Sequence, residues 1–304
     1  NTLNATKGNI TINGSTEGFS IWNYGVAGIT MLGNATMTAA NISINGSGLN
    51  ERVARLPDTK GISFEGGNFT FTGNTTITGT AIAGPGVGFA NTNNITFNNG
   101  TAVINASNTG NRTQDNGYGA AFGTTSATED KKTIINITLN NTNLSINASS
   151  INGAGIGGLP DLDSNITISG TGNATINGTS REYYGILFMN VSGSGLNGTV
   201  TLTGTSTNGT GVALSNNHLD NVAITGNASG NGTGVHISGN SSLTNTTVNG
   251  SSVNNTGVYI RGNLTNTTVS GSSVNGSGVN IGGNITNGTI TGNATGNGTG
   301  VGIS

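Results

Sequence analysis

LTNTTVNGSSVNNTGVYIRGN occupies residues 243–263, and LTNTTVSGSSVNGSGVNIGGN follows at once over 264–284. The two runs differ at few positions, and each closes on a piece of the form G-V-x-I. Similar segments begin at Leu196, Leu219 and Ile285, so the five starts lie 23, 24, 21 and 21 residues apart. A steady period of 20–50 residues signals a solenoid, a propeller or a linear array. The contents of the period choose among them. Val and the Ile or Leu two residues later recur in Gly209–Leu214, Gly232–Ile237, Gly276–Ile281 and Gly298–Ile303, with Asn255 replacing the first Gly in the fourth copy. That alternation places both on one face of a strand. A second short strand precedes it, as in Val222-Ala223-Ile224 or Thr289-Ile290-Thr291. Gly, Asn and Ser fill the corners between, where positive φ is often needed. No copy carries the i, i+3, i+4 pattern of a helix.

Three short strands and their corners fit one turn of a parallel β-helix. A propeller blade of the WD type needs about 40 residues, and a leucine-rich repeat needs L-x-x-L-x-L. Neither is present. The expected fold is therefore all-β, a right-handed parallel β-helix of about eleven to thirteen coils. At ~4.8 Å per coil the rod is roughly 50–60 Å long. Val212, Val235, Val258, Val279 and Val301 should stack in one interior column. Upstream, N-I-T/S-like strands recur at Asn9, Asn41, Asn68, Asn94, Asn136 and Asn165 with wider, uneven spacing. They read as coils of the same solenoid carrying longer loops. Residues 1–195 are thus expected to be an irregular, loop-bearing part and 196–304 a regular part of one rod.

The composition agrees. Of 304 residues, 54 are Gly, only 7% are charged, and Cys is absent. A typical domain is about a quarter charged. Disordered chains also lack apolar residues, but here they make up 32% and sit in short strands of fixed form. Without Cys there is no disulfide framework, thiol nucleophile or zinc-thiolate site. A net charge of −2 with no basic tract argues against nucleic acid. No 18-residue apolar run suggests a membrane span. The start, Asn1-Thr2-Leu3, carries neither Met nor a signal region, so the chain reads as a segment of something longer. The many Asn-x-Ser/Thr sequons follow from composition, and corner Asn residues are better explained by stacked amide ladders and left-handed backbone.

Most of the charged residues fall in four stretches that break the Asn/Thr/Gly pattern: 51–60, 111–132, 153–163 and 180–188. After residue 190 only Asp220 and Arg261 are charged, and Tyr259 is the only aromatic. Binding residues tend to sit on loops held by a rigid scaffold, and Tyr, Trp and Arg are the usual anchors. The expected receptor-binding set is Arg52, Arg55, Arg112, Tyr118, Phe122, Arg181, Tyr183, Tyr184 and Phe188. Trp22 and Tyr24 form either a further site or the packing of an N-terminal coil. The competing reading is that the aromatics fold the loops back onto the rod, Phe122 and Phe188 above all. Tyr183 and Tyr184 are successive, so both cannot point inward from one strand.

Catalysis has little to stand on. The close carboxylate pairs are Asp161/Asp163, beside Pro160 in a turn, and Glu129/Asp130 in a charged loop. His236 lies between Val235 and Ile237 and so faces outward, and His218 sits in an Asn corner. No catalytic residue, cofactor or metal site is expected. The G-x-G strings lack a following helix and are repeat corners rather than phosphate loops. An ice-binding solenoid needs Thr-x-Thr at one fixed corner of every coil; Thr76/Thr78 and Thr199/Thr201/Thr203 have it, but it does not recur at one position in every coil.

The repeats, LTNTTVNGSSVNNTGVYIRGN above all, resemble those of large two-partner-secretion exoproteins of Gram-negative bacteria. These are the filamentous-haemagglutinin-like adhesins and the CdiA effectors of contact-dependent growth inhibition. The resemblance covers the last 110 or so residues well and the rest weakly. It implies a secreted, cell-surface filament whose middle segment binds an outer-membrane protein of a target bacterium, with a toxin carried elsewhere in the chain. It implies flanking segments of the same exoprotein as neighbours, a monomeric segment and no membrane insertion. It assigns no individual contact residue. Two other readings stay open: a structural stalk or host-cell adhesin, and a polysaccharide-acting β-helix enzyme or tailspike.

Overall fold

The computed structural model describes residues 1–17, 27–49, 59–110, 119–122, 133–157, 165–189, 191–192 and 196–304. Its strands are all parallel and belong to one continuous hydrogen-bonded assembly. Each coil visits three sheets in turn. In the first coil the chain runs through residues 2–5 in sheet one and 9–16 in sheet two, then Ala27–Leu32 in sheet three. The tenth coil repeats the order with residues 262–265, Thr268–Ser273 and Val279–Gly282.

One interior column settles the number of coils. Ile29, Ile62, Val87, Ala120, Ile156, Ile186, Val212, Val235, Val258, Val279 and Val301 are partners from strand to strand along sheet three. That is eleven residues and eleven coils, so the rod is about 50 Å long. The expected Val column is present. Val212, Val235, Val258 and Val279 are fully buried, whereas Val301, in the eleventh coil, is 37% exposed. Sheet two carries a matching column from Ile12 through Ile44, Ile77, Ile104, Ile146, Ile176, Leu202, Ile224, Val248 and Val269 to Ile290. One hydrophobic core runs the length of the molecule. Coils two to four widen it with Phe64 stacked on Phe89 at 5.1 Å and Phe71 on Phe97 at 5.4 Å.

The cross-section tapers where sheets two and three meet. Past the Ile column, sheet two turns Gly14, Gly46, Gly79, Gly178, Gly204, Gly226, Gly250, Gly271 and Gly292 inward against glycine backbone of sheet three. A Cβ on Gly250 would run into the carbonyl oxygen of Gly257 and lie 2.6 Å from Val258 Cγ2. Ala106 and Ala148 replace this glycine in coils four and five. One step further, a buried serine closes the corner. Ser180, Ser206, Ser252 and Ser273 each accept a backbone N–H three residues on, at 2.8–3.0 Å. Each donates its hydroxyl to a carbonyl of the preceding coil: Gly153, Tyr183, Gly232 and Asn255 respectively. The corner between sheets one and two uses left-handed backbone instead, at Asn99, Asn141, Asn221, Asn245, Asn266 and Asn287. Asn tolerates αL because its short side chain bonds locally.

Stacking also gives the surface asparagines their partners. Asn68 Nδ2 donates to Asn34, Asn94 to Asn68 and Asn136 to Asn94, at 3.1, 2.7 and 2.8 Å. A second ladder links Asn105, Asn147 and Asn177. The N-I-T/S strands do not share one position. Asn9 and Asn41 belong to sheet two, whereas Asn68, Asn94 and Asn136 belong to sheet one. Part of the uneven spacing therefore reflects a change of sheet and not a longer loop.

Candidate functional site

The long connections share a location. Sheet two ends at Thr16 and sheet three resumes at Ala27; the next coil leaves at Gly48 and returns at Lys60, and the fourth leaves at Asn108 and returns at Ala120. After Phe122 and after Gly157 the chain returns to sheet one only at Ile134 and Asn165. All five excursions begin or end on a strand of sheet three. The two margins of that sheet hold them, and its outer face lies between. Arg52, Arg55, Arg112 and Tyr118 fall in these excursions and lie outside the described residues, as do Trp22, Tyr24 and both carboxylate pairs, Asp161/Asp163 and Glu129/Asp130. Phe122 lies on a described strand, in register with Phe89.

Two expectations about the fourth stretch are corrected. Residues 180–188 are not an insertion. Ser180 ends sheet two and Ile186 starts sheet three, the same step as from Ser206 to Val212 and from Ser252 to Val258. Phe188 is not at the surface either. It is 2% exposed, because alternation from Ile186 turns it inward above Leu214. It belongs to the core and leaves the candidate set.

Arg181, Tyr183 and Tyr184 remain, on a corner that is tightly held. Glu182 N–H donates to Ile151 O in the coil before, and Asn208 N–H to Arg181 O from the coil after. Ser180 Oγ accepts from Tyr183 N–H at 2.9 Å, and Ser206 Oγ donates to Tyr183 O. The Glu182 carboxylate accepts Asn208 Nδ2 at 2.7 Å and Arg181 Nε at 2.7 Å. These bonds hold its carboxyl below the usual range, the Asn208 contact most of all. The two tyrosine rings meet edge to face at 4.4 Å. Tyr184 packs on a small cluster of Ala154, Leu187 and Ala213 on the outside of sheet three. Tyr183 stands further out, 42% exposed.

The same outer face carries a group that sequence reasoning did not assemble. Leu187, Ala213, His236, Tyr259 and Asn280 are successive strand partners, one per coil, pointing away from the core. The His236 and Tyr259 rings meet edge to face at 5.0 Å. The Arg261 guanidinium lies 5.9 Å from the Tyr259 ring centre. Partial burial pushes the His236 imidazole below its ordinary value, and the Arg261 charge adds to this. Lys60, Ser63 and Glu65 form a separate bonded trio on the same sheet in coil two.

The other faces differ. The outer surface of sheet two presents ranks of Asn, Thr and Ser, for example Asn177, Thr203, Thr225 and Asn249, and holds two shallow grooves of about 430 and 470 Å³. His218, facing out of sheet one, bonds Ser242 Oγ at 2.8 Å. No group of three His, Asp or Glu able to hold a metal occurs among the described residues, and no helix there is long and apolar enough to cross a membrane. No protein-family model, curated protein or solved structure matches the chain.

Proposed function

We propose that this solenoid is a cell-surface binding segment of a large secreted bacterial exoprotein. It recognises an outer-membrane protein on a target bacterium, for delivery of a toxin carried elsewhere in the chain. One observation carries the reading. The three described tyrosines lie on the outer face or margin of sheet three, and all five long excursions flank that same sheet. Among the described residues, the main hydrophobic core and the asparagine ladders include none of the three tyrosine rings. Aromatic and Arg side chains held on a rigid corner lose little entropy on docking, which suits them as anchors. The repeat style of the last coils, which resembles two-partner-secretion exoproteins, supplies the cellular setting of the proposal.

The test replaces Tyr183 and Tyr184 by Ala and, separately, shortens residues 111–118. Binding of each folded variant to live Gram-negative cells is compared with the parent, with outer-membrane mutants as hosts. Loss of binding with an unchanged strand signal supports the reading. Variants that bind like the parent, or a parent that binds no cell, turn the segment into a plain stalk.

A further inference from the structure

We propose that His236, Tyr259 and Arg261 form a docking strip for a carboxylate-bearing loop of a protein partner. The inference rests on the receptor-binding reading and extends that surface into coils that look uniform in sequence.

The strip stands out first by charge. Beyond residue 190 the chain has two charged residues, Asp220 and Arg261. Asp220 accepts Asn245 Nδ2 at 3.0 Å on sheet one. Arg261 is exposed on sheet three and has no carboxylate partner among the described residues, where the ion pairs are Lys60–Glu65 and Arg181–Glu182. A guanidinium lying beside a ring and lacking an acid offers its donors to one from outside. Contact with the ring at 5.9 Å favours this placement of the side chain, so less freedom is lost on binding. His236, next in line, presents a ring that bonds a carboxylate in either protonation state.

The neighbours choose the kind of ligand. Towards the N-terminus the rank continues with Ala213 and Leu187, covered by Tyr184. Leu187 and Ala213 are themselves buried, so the half-buried Tyr184 ring over them is the apolar surface that an aliphatic or aromatic side chain would meet beside the acid. An acidic sugar would meet the polar atoms of His236, Tyr259, Arg261 and Asn280, but only the Tyr184 ring at the other end. The dense hydroxyl and amide ranks are on sheet two, around the corner of the rod. A protein loop with an Asp or Glu next to an apolar residue fits the strip better.

The experiment uses the whole chain and dose-dependent binding to the Gram-negative cells that the parent binds. The variants are Arg261→Gln, Arg261→Lys and Tyr259→Ser, all outward-facing and checked by thermal melting. Arg261→Gln should weaken binding about tenfold or more, as expected for a lost charge-assisted hydrogen bond. Arg261→Lys should recover part of it. The fall in parent affinity with salt should be shallower for Arg261→Gln. Protease-shaved cells should lose binding, and periodate-treated cells should keep it. Parent-like binding by Arg261→Gln and Tyr259→Ser, with Tyr183 and Tyr184 variants still defective, overturns the strip and leaves the receptor-binding reading standing. Binding lost to periodate and not to protease overturns the protein partner. A parent that binds no cell overturns both.

Discussion

Gly250 faces into the narrow corner of the rod, opposite Gly257. In an ordinary strand Gly costs about 0.5–1 kcal/mol relative to Ala, so propensity alone expects Gly250→Ala to stabilise. The geometry reverses the sign. The new methyl would collide with the Gly257 carbonyl oxygen and lie 2.6 Å from Val258 Cγ2. Neither atom can yield cheaply. The carbonyl belongs to a corner whose N–H bonds Ser277 O at 2.9 Å, and Val258 sits in the buried column. Overpacking of this kind costs about 1–3 kcal/mol. For a domain of this size that corresponds to a fall in melting temperature of roughly 2–5 °C. Gly8→Ala is the control, since its added Cβ meets nothing nearer than 3.8 Å; it should be neutral or slightly stabilising. The assay is thermal melting followed by circular dichroism, with urea unfolding beside it. A Gly250→Ala protein as stable as the parent, or more so, would falsify the tapered cross-section.

Other consequences follow from the same packing. Ile224 is fully buried between Leu202 and Val248, so Ile224→Ala should lose about 2–5 kcal/mol in urea unfolding; Ile290→Ala, only partly buried in the last coil, should lose markedly less. Ser206→Ala leaves the Gly209 N–H and the Tyr183 carbonyl without their shared partner, and about 1–3 kcal/mol should go with it. His236 is held below its ordinary value of 6.5 by burial and then by Arg261. Its unfolded form therefore takes up a proton first as pH falls. Stability is fully present above that ordinary value and declines below it; His236→Asn should flatten the decline in melts run from pH 7.5 to 5.

The fold was legible because a solenoid repeats its instructions. Val235, Val258 and Val279 recur at the coil period, and strand alternation fixes which way they point. The serine corner was also within reach. Ser180, Ser206, Ser252 and Ser273 each stand six residues before the column residue of sheet three, an offset that counting backwards from Ile186, Val212, Val258 and Val279 would have revealed. The sheet to which each N-I-T/S strand belongs was hidden, since sheets one and two ask for the same outward Asn and inward Ile. Phe188 was misplaced because its neighbours Tyr183 and Tyr184 suggested a loop, whereas the distance from Ser180 to Ile186 is that of an ordinary corner. The strip on sheet three was invisible for another reason. Leu187, Ala213, His236 and Tyr259 are 23 to 26 residues apart, and only coil stacking brings them into one rank.

The central claim is that sheet three is the working face of the rod. The chain has no cysteine, so single cysteines can be placed around one coil and each coupled to a bulky polyethylene glycol. Thr265 on sheet one, Ser272 on sheet two and Asn280 on sheet three all face outward from coil ten. Binding of each conjugate to target cells is then measured. The account predicts that the Asn280 conjugate loses binding while the Thr265 and Ser272 conjugates keep it. Equal binding by all three, or loss confined to sheet one or sheet two, contradicts it.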